Sequence, residues 1–167
     1  MSDASSRGTI ERATFLPDRA REVLRRLAGS WTVSGSGPAG PITARWTATL
    51  PRPAHCLTLH YEGTHGDTPF AGEGLLGWSS AEAHLHYVMF YSNDVHEFAE
   101  FAFDDSDQFS GRYYGHAMGI PFRGVASLEL ELPDRFLFRV SPLAEKRLDA
   151  HQQGSCVRFT RSPETEP

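Results

Sequence analysis

The sequence predicts an all-β fold, a closed antiparallel up-and-down β-barrel of about ten strands with one N-terminal capping helix. Three observations lead to this prediction. After a single helical pattern, apolar residues recur with a period of two from Trp31 onward. Turn residues separate these segments at regular, hairpin-length intervals. A meander of about ten strands removes its open edges by closing on itself.

The helix is predicted to begin at Pro17-Asp18-Arg19, because proline is tolerated in a first turn, where its missing N–H has no helical partner. Apolar residues at helical spacing form one stripe, and charged residues occupy the other side. Gly29 is expected to end the helix in a left-handed conformation. The stripe consists of Leu16, Ala20, Val23, Leu24 and Leu27. It must pack against another surface, most simply the mouth of the barrel.

Candidate strands follow the helix and alternate in polarity. In 55–64, for example, Leu57, Leu59 and Tyr61 oppose polar neighbours. Segment 83–92 has bulky residues on both faces, so the sequence leaves open which face points inward. Its outer face is expected to meet the helix or a second subunit, which keeps a homodimer open. The candidates are 31–36, 42–50, 55–64, 70–78, 83–92, 97–104, 109–116, 122–132, 135–141, 145–150 and 154–161.

Length and composition indicate one domain, with a flexible arm at 1–14, the barrel at 15–161 and a flexible tail at 162–167. The 40% hydrophobic and 22% charged residues are typical of a globular protein. A net charge of −5 argues against a nucleic-acid partner. The chain has neither a signal-peptide pattern nor an apolar run of the roughly 18 residues that a membrane span needs. We therefore expect a cytoplasmic protein without a membrane partner, in which Cys56 and Cys156 are buried, reduced thiols.

Several stretches are similar to known families. Leu27-Ala28-Gly29-Ser30-Trp31, followed by Gly35 and Gly37, resembles the Gly-x-Trp start of the calycin superfamily of lipocalin-like barrels. The segments 61–64 and 70–78 resemble uncharacterised bacterial lipocalin-like proteins, and the nitrobindin group is a more distant resemblance. In calycins an arginine near the end of the last strand stacks over the first-strand tryptophan. The resemblance therefore implies that Arg158 or Arg161 closes the barrel over Trp31, and we assign this structural role to Arg158.

The predicted function is binding of a small hydrophobic molecule inside the barrel. Aromatic residues with a polar group can orient a ligand in an otherwise apolar pocket. The candidate ligand-binding residues are Trp46, Tyr61, His86, Phe90 and Tyr113. The sequence has no consensus catalytic motif or phosphate-binding loop, and we predict neither a metal site nor a cofactor.

Three alternatives stay open. The first is an enzyme of the cyclase or isomerase type, with Tyr61, His86 or Tyr113 as acid or base. The second is haem or metal binding. The nitrobindin resemblance implies haem through His151, while His84 and His86 share one strand face but lack a carboxylate a few residues later. The third is a barrel with a filled interior that acts as an interaction module.

Overall fold

The computed structural model describes residues 16–51, 55–102, 107–143 and 155–162. They form one helix and a closed barrel in which each strand pairs antiparallel with its sequence neighbours, while β1 pairs with β10. The predicted fold class is therefore confirmed. The elements are α1 (Asp18–Leu27), β1 (Gly29–Gly37), β2 (Gly40–Thr49), β3 (Cys56–His65), β4 (Thr68–Ser79), β5 (His84–Tyr91), β6 (Val95–Ala102), β7 (Gln108–Ala117), β8 (Ile120–Leu132), β9 (Arg135–Pro142) and β10 (Ser155–Arg161). The predicted strand 145–150, residues 1–14 and residues 163–167 lie outside the described residues.

The predicted apolar stripe is buried throughout, at Leu16 just before α1 and at four positions from Ala20 to Leu27 within the helix. Helix α1 is not long or apolar enough to cross a bilayer, and no other helix occurs among the described residues. The residue directly after the helix, Ala28, has an extended backbone conformation. Gly29 opens β1 instead, with φ of +128°. A Cβ atom at Gly29 would lie 2.5 Å from Nη1 of Arg161, so glycine leaves room for this arginine.

The closed end of the barrel joins the first strand, the last strand and the helix. Trp31 is buried, and its Nε1–H donates to the Leu27 carbonyl oxygen at 2.9 Å. Arg161 is the register partner of Trp31, and its guanidinium carbon lies 4.4 Å from the indole centroid. The same guanidinium donates to the carbonyl oxygens of Ala28 at 3.1 Å and Arg26 at 2.9 Å. One cation thus covers the tryptophan and binds the carboxyl end of the helix.

This geometry corrects the closing role predicted for Arg158. Side chains alternate along a strand, and Val157 and Phe159 of β10 are buried in the interior. Arg161 shares their parity, whereas Arg158 lies on the outer face and is exposed. Cys56 and Cys156 are free thiols. Cys156 lies on the outer face and is exposed, and Cys56 is only half-buried, so the prediction that both thiols are buried is wrong.

The structure settles which face of β5 points inward. Leu85 and Met89 are fully buried in the core, and the ring of Tyr87 packs against Phe138 of β9 at 5.7 Å. Residues of the opposite parity, including His86 and Phe90, lie on the outside of the barrel. Phe90 is 56% exposed. The bulky outer face of β5 therefore does not belong to the core.

The two ends of the barrel differ. Since the strands run up and down, α1 and the β2–β3, β4–β5, β6–β7 and β8–β9 connections share one end. At that end Arg19 and Arg26 bind Asp107, which precedes β7. The β1–β2, β3–β4, β5–β6 and β7–β8 turns lie at the opposite end. The helix closes the first end, and the second end holds the candidate site.

Candidate functional site

A cavity of about 510 Å³ occupies the half of the barrel opposite the helix. Residues of the turns, such as Ala39, Asn93 and Met118, form its rim, so it opens between the β1–β2, β5–β6 and β7–β8 connections. Its wall is mainly apolar and aromatic. The wall includes Ile42, Tyr61, Phe70, Tyr87, Tyr91, Tyr113, Phe122, Phe138, Val140, Val157 and Phe159. This volume is within the ordinary range for a small-molecule pocket, roughly 300–1,000 Å³.

One carboxylate lies inside this wall and is held by three phenols. Oε1 of Glu97 accepts hydrogen bonds from the hydroxyls of Tyr87 and Tyr91, each at 2.7 Å. Oε2 of Glu97 accepts a hydrogen bond from the Tyr113 hydroxyl. All four side chains are half-buried and line the cavity. We call this group the Glu97–tyrosine cluster.

Strand register explains why these side chains meet. Tyr87 and Tyr91 both lie on the inner face of β5, four residues apart, while Glu97 is on β6 and Tyr113 is on β7. Ala99 pairs with Tyr87 on one side and with Tyr113 on the other. The Ala99 side chain is small and buried, so both rings extend past it toward Glu97, which is the preceding inward-facing residue of β6.

The cluster keeps its phenols neutral. Burial raises the pKa of Tyr87, Tyr91 and Tyr113 well above the usual value, and the negative charge of Glu97 raises each further. Burial followed by the Glu97 charge also raises the pKa of Tyr61. Neutral phenols remain hydrogen-bond donors, and they stabilise the carboxylate in a largely apolar wall.

A count of donors and acceptors shows what the cluster offers to the cavity. Each phenol has a single proton, and the protons of Tyr87, Tyr91 and Tyr113 are all donated to Glu97. A carboxylate accepts about four hydrogen bonds, so three phenols leave one acceptor position, on Oε2. The phenol oxygens also keep lone pairs. The cluster therefore offers a ligand hydrogen-bond acceptors and a negative charge, but no hydrogen-bond donors, because all three phenol protons are donated to Glu97.

The predicted ligand-binding residues fall into three places. Tyr61 and Tyr113 line the cavity. Trp46 lies beneath it and borders a separate void of about 40 Å³ in an aromatic layer near the helix, 5.3 Å from the Phe159 ring. His86 and Phe90 are on the outer face of β5, which corrects their prediction as residues of the pocket. The reason is strand parity, because the inward positions are Tyr87, Met89 and Tyr91.

The sequence-based prediction missed Glu97, the central residue of the cluster. A carboxylate beside a turn is usually solvated, and the predicted strand began at Glu97 itself. A signal was nevertheless present. Glu97, Ala99 and Phe101 share one strand face, and both Ala99 and Phe101 are buried. Period-two alternation from those two residues places Glu97 inside the barrel.

The histidines predicted for haem or metal lie away from the cavity or outside the described residues. His151 falls in an undescribed segment. His84 and His86 are on the outer surface at the helix end. Of the cavity-lining residues within the described ranges, His65 is the one histidine, and its Nε2 accepts the Ala39 backbone N–H at 3.0 Å. This position at the rim already has a hydrogen-bonding role.

No family model and no curated protein matches this sequence. Solved structures do match its fold. A de novo designed fluorescence-activating β-barrel is 14% identical, with a TM-score of 0.51, and the match covers 84% of this chain and 97% of the designed one. The redesigned barrel mFAP0, bound to DFHBI, has the same identity and score over 81% of this chain and 99% of its own. EF1p2_mFAP2b, also bound to DFHBI, matches with 14% identity and a TM-score of 0.51 over 85% and 98%. At this identity the similarity supports the barrel fold alone.

Proposed function

We propose that this protein binds a small molecule with an apolar body and a hydrogen-bond-donating or cationic end inside its barrel. The observation that carries the proposal is the Glu97–tyrosine cluster in the wall of an apolar cavity of about 510 Å³. The body of the ligand packs against the aromatic wall, and its polar end binds Oε2 of Glu97. Similar barrels that hold DFHBI are consistent with small-molecule binding by this architecture.

The apolar wall supplies most of the affinity in this proposal. Burial of apolar surface stabilises a complex by about 25 cal/mol per Å², from which the cost of association is subtracted. Phe70 and Phe138, two of the four phenylalanines of the wall, lie on different strands, so a flat ring system can contact aromatic surfaces from more than one side. An aromatic or polycyclic body fits this wall.

The carboxylate supplies the selectivity. A ligand with an anionic end would place a like charge beside Glu97 in a site partly withdrawn from water, where repulsion is strong. A ligand that brings only acceptors would leave the last acceptor position of the carboxylate unused. Amines, amidines and hydroxyl groups satisfy it. The cluster thus favours donors over fatty-acid-like ligands.

Binding is favoured over catalysis by the same residues. Of the candidate acids and bases, His86 is outside the barrel. The raised pKa values of Tyr61 and Tyr113 keep both phenols protonated, and the Tyr113 proton is already donated to Glu97. Such groups orient a ligand more readily than they exchange protons with it. Membership in a lipocalin-like family, a cytoplasmic location and a homodimer remain proposals from the sequence.

The test uses three fluorescent probes with one ring system and different ends: pyrene-1-methylamine, pyrene-1-methanol and pyrene-1-carboxylate. We expect the amine and the alcohol to bind at least tenfold more tightly than the carboxylate, a difference of about 1.4 kcal/mol or more. Glu97→Gln, which keeps the shape of the side chain but removes its charge, should reduce the preference for the amine over the carboxylate to below about threefold. Fluorescence titration at neutral pH measures each affinity.

Glu100→Gln is the matched control. Glu100 lies on the same strand but on the outer face, where it binds Arg112 and Tyr114. This variant should keep the wild-type preference. Equal affinity for the three probes in the wild-type protein, or a preference that survives in Glu97→Gln, would contradict the assigned role of the cluster. Absence of binding by all three would contradict the proposed function itself.

A further inference from the structure

A second candidate site lies on the outer surface at the closed end of the barrel, far from the cavity mouth. His84 and His86 occupy the outer face at the start of β5, with ring centroids 6.4 Å apart. Glu82, in the β4–β5 turn, brings its carboxylate to the same place. One ligand atom from each of these residues lies within 4.8 Å of the other two.

We propose that Glu82, His84 and His86 form a binding site for one divalent transition metal ion of the zinc type. Two imidazoles and one carboxylate are a ligand set that such ions prefer. The carboxylate precedes the histidines in sequence, so the expectation of one a few residues later overlooked it. This inference is independent of the cavity, because the two sites lie at opposite ends and share no residue.

Distances between the ligand atoms support the site. With metal–ligand distances of about 2.0–2.2 Å, tetrahedral coordination places neighbouring ligand atoms roughly 3.3 Å apart. The three ligand atoms lie within 4.8 Å of one another, so they must approach each other by at most about 1.5 Å to coordinate one ion. Rotation of partly exposed side chains achieves such shifts without movement of the strand. A three-residue set leaves a fourth position for water.

The surroundings of His86 point in the same direction. Its Nε2 is shielded from solvent and lies 2.7 Å from Oε2 of Glu82, without the directional geometry of a hydrogen bond. In the tautomer that is protonated on Nδ1, the Nε2 lone pair is available to a metal. This separation is about 0.6 Å shorter than the tetrahedral spacing, so a small rotation of either side chain allows the nitrogen and the oxygen to share one ion.

Three other histidines of the outer surface have side-chain partners that explain them. His96 and His116 are hydrogen-bonded to each other at 3.1 Å on the opposite half of the outer surface, and His60 binds Glu73 at 2.7 Å. Neither group joins two imidazoles to a carboxylate. The His96–His116 pair therefore provides a control with the same number of histidines.

The experiment measures zinc in the full, untagged chain. Protein incubated with excess ZnCl₂ is passed through a gel-filtration column in metal-free buffer, and zinc per chain is determined by elemental analysis. We expect about one zinc per chain in the wild type, below about 0.2 in His84→Ala and His86→Ala, and at least tenfold weaker binding by titration calorimetry in Glu82→Gln. Circular dichroism confirms that each variant is folded.

The double variant His96→Ala/His116→Ala should keep the wild-type zinc content. Wild-type protein that elutes without zinc would overturn the proposal. Retention of zinc by both single histidine variants would do the same, as would its loss in the double variant, which would assign the ion to another pair. Unchanged pyrene-1-methylamine binding in His86→Ala would show that the two sites are independent.

Discussion

Replacement of Arg161 by alanine tests the closing contact of the barrel. Arg161 covers the indole of Trp31 and donates to two carbonyl oxygens at the end of α1. Its loss uncovers one face of a buried tryptophan and leaves the Ala28 and Arg26 carbonyl oxygens without this charged donor. The helix and the first and last strands are therefore destabilised together.

The magnitude follows from these three contacts. A cation over an aromatic ring contributes about 0.5–2 kcal/mol, and a hydrogen bond from a charged donor about 1.5–3 kcal/mol. The side chain is only half-buried, so water replaces part of what is lost. We expect Arg161→Ala to lower the free energy of unfolding by about 2–4 kcal/mol. That corresponds to a fall in Tm of roughly 5–15 °C for a chain of this size.

Urea unfolding followed by tryptophan fluorescence measures this change, with Arg158→Ala as the matched control. Arg158 lies three residues earlier on the outer face of the same strand, and we expect its replacement to change stability by less than about 0.5 kcal/mol. Arg161→Lys keeps the charge but loses the planar fork, so an intermediate cost is expected. A cost at Arg158 equal to or greater than that at Arg161 would refute the reasoning.

Three further predictions concern the cluster and the helix. Burial raises the pKa of Tyr87 and Tyr91 above the value near 10 of unfolded tyrosine, so the unfolded chain loses these protons first and the free energy of unfolding should fall above about pH 10. Tyr87→Phe or Tyr91→Phe should make this fall smaller. Urea unfolding at about pH 8 and at about pH 10.5 measures it. Ala99→Leu should destabilise the fold by about 1–3 kcal/mol and weaken pyrene-1-methylamine binding, because it pushes apart two rings of the cluster, whereas Ala102→Leu on the outer face should do neither. A hydrogen bond from Arg19 lowers the pKa of Asp107, so Asp107→Asn should lower the free energy of unfolding by less than about 1 kcal/mol near pH 7. The effect of this variant should be smaller in high salt and should nearly vanish once the pH falls below the lowered pKa of Asp107.

Much of the fold could be predicted because local patterns and global architecture agree. The apolar stripe of α1 and the clear alternation in β3 each allow one orientation only. The alternation in β5 could not be resolved, since both of its faces carry bulky residues. The inner face is determined by pairing with β6, where Ala99 and Phe101 are unambiguous core residues. The register between two strands depends on residues far apart in sequence, and the alternation within one strand does not determine it.

The candidate site was less predictable for the same reason. Tyr61 and Tyr113 were found because an aromatic residue with a polar tip is a common pocket residue. Glu97 was missed because a carboxylate beside a turn is usually solvated, although its alternation with Ala99 and Phe101 placed it on the inner face. Its partners lie on two other strands, and only their registers bring the phenols together. His86 was misplaced because its position depends on the unresolved parity of β5.

The pairing of β1 with β10 has a consequence for biosynthesis. A ribosome releases Trp31 long before Arg161 exists, so the nascent chain carries an unpaired hydrogen-bonding edge while more than a hundred further residues are made. Contacts between residues so distant in sequence form slowly. We therefore expect the yield of folded protein to depend on chaperones and on the expression temperature. Where folding fails, we expect aggregation through the unpaired edge of β1.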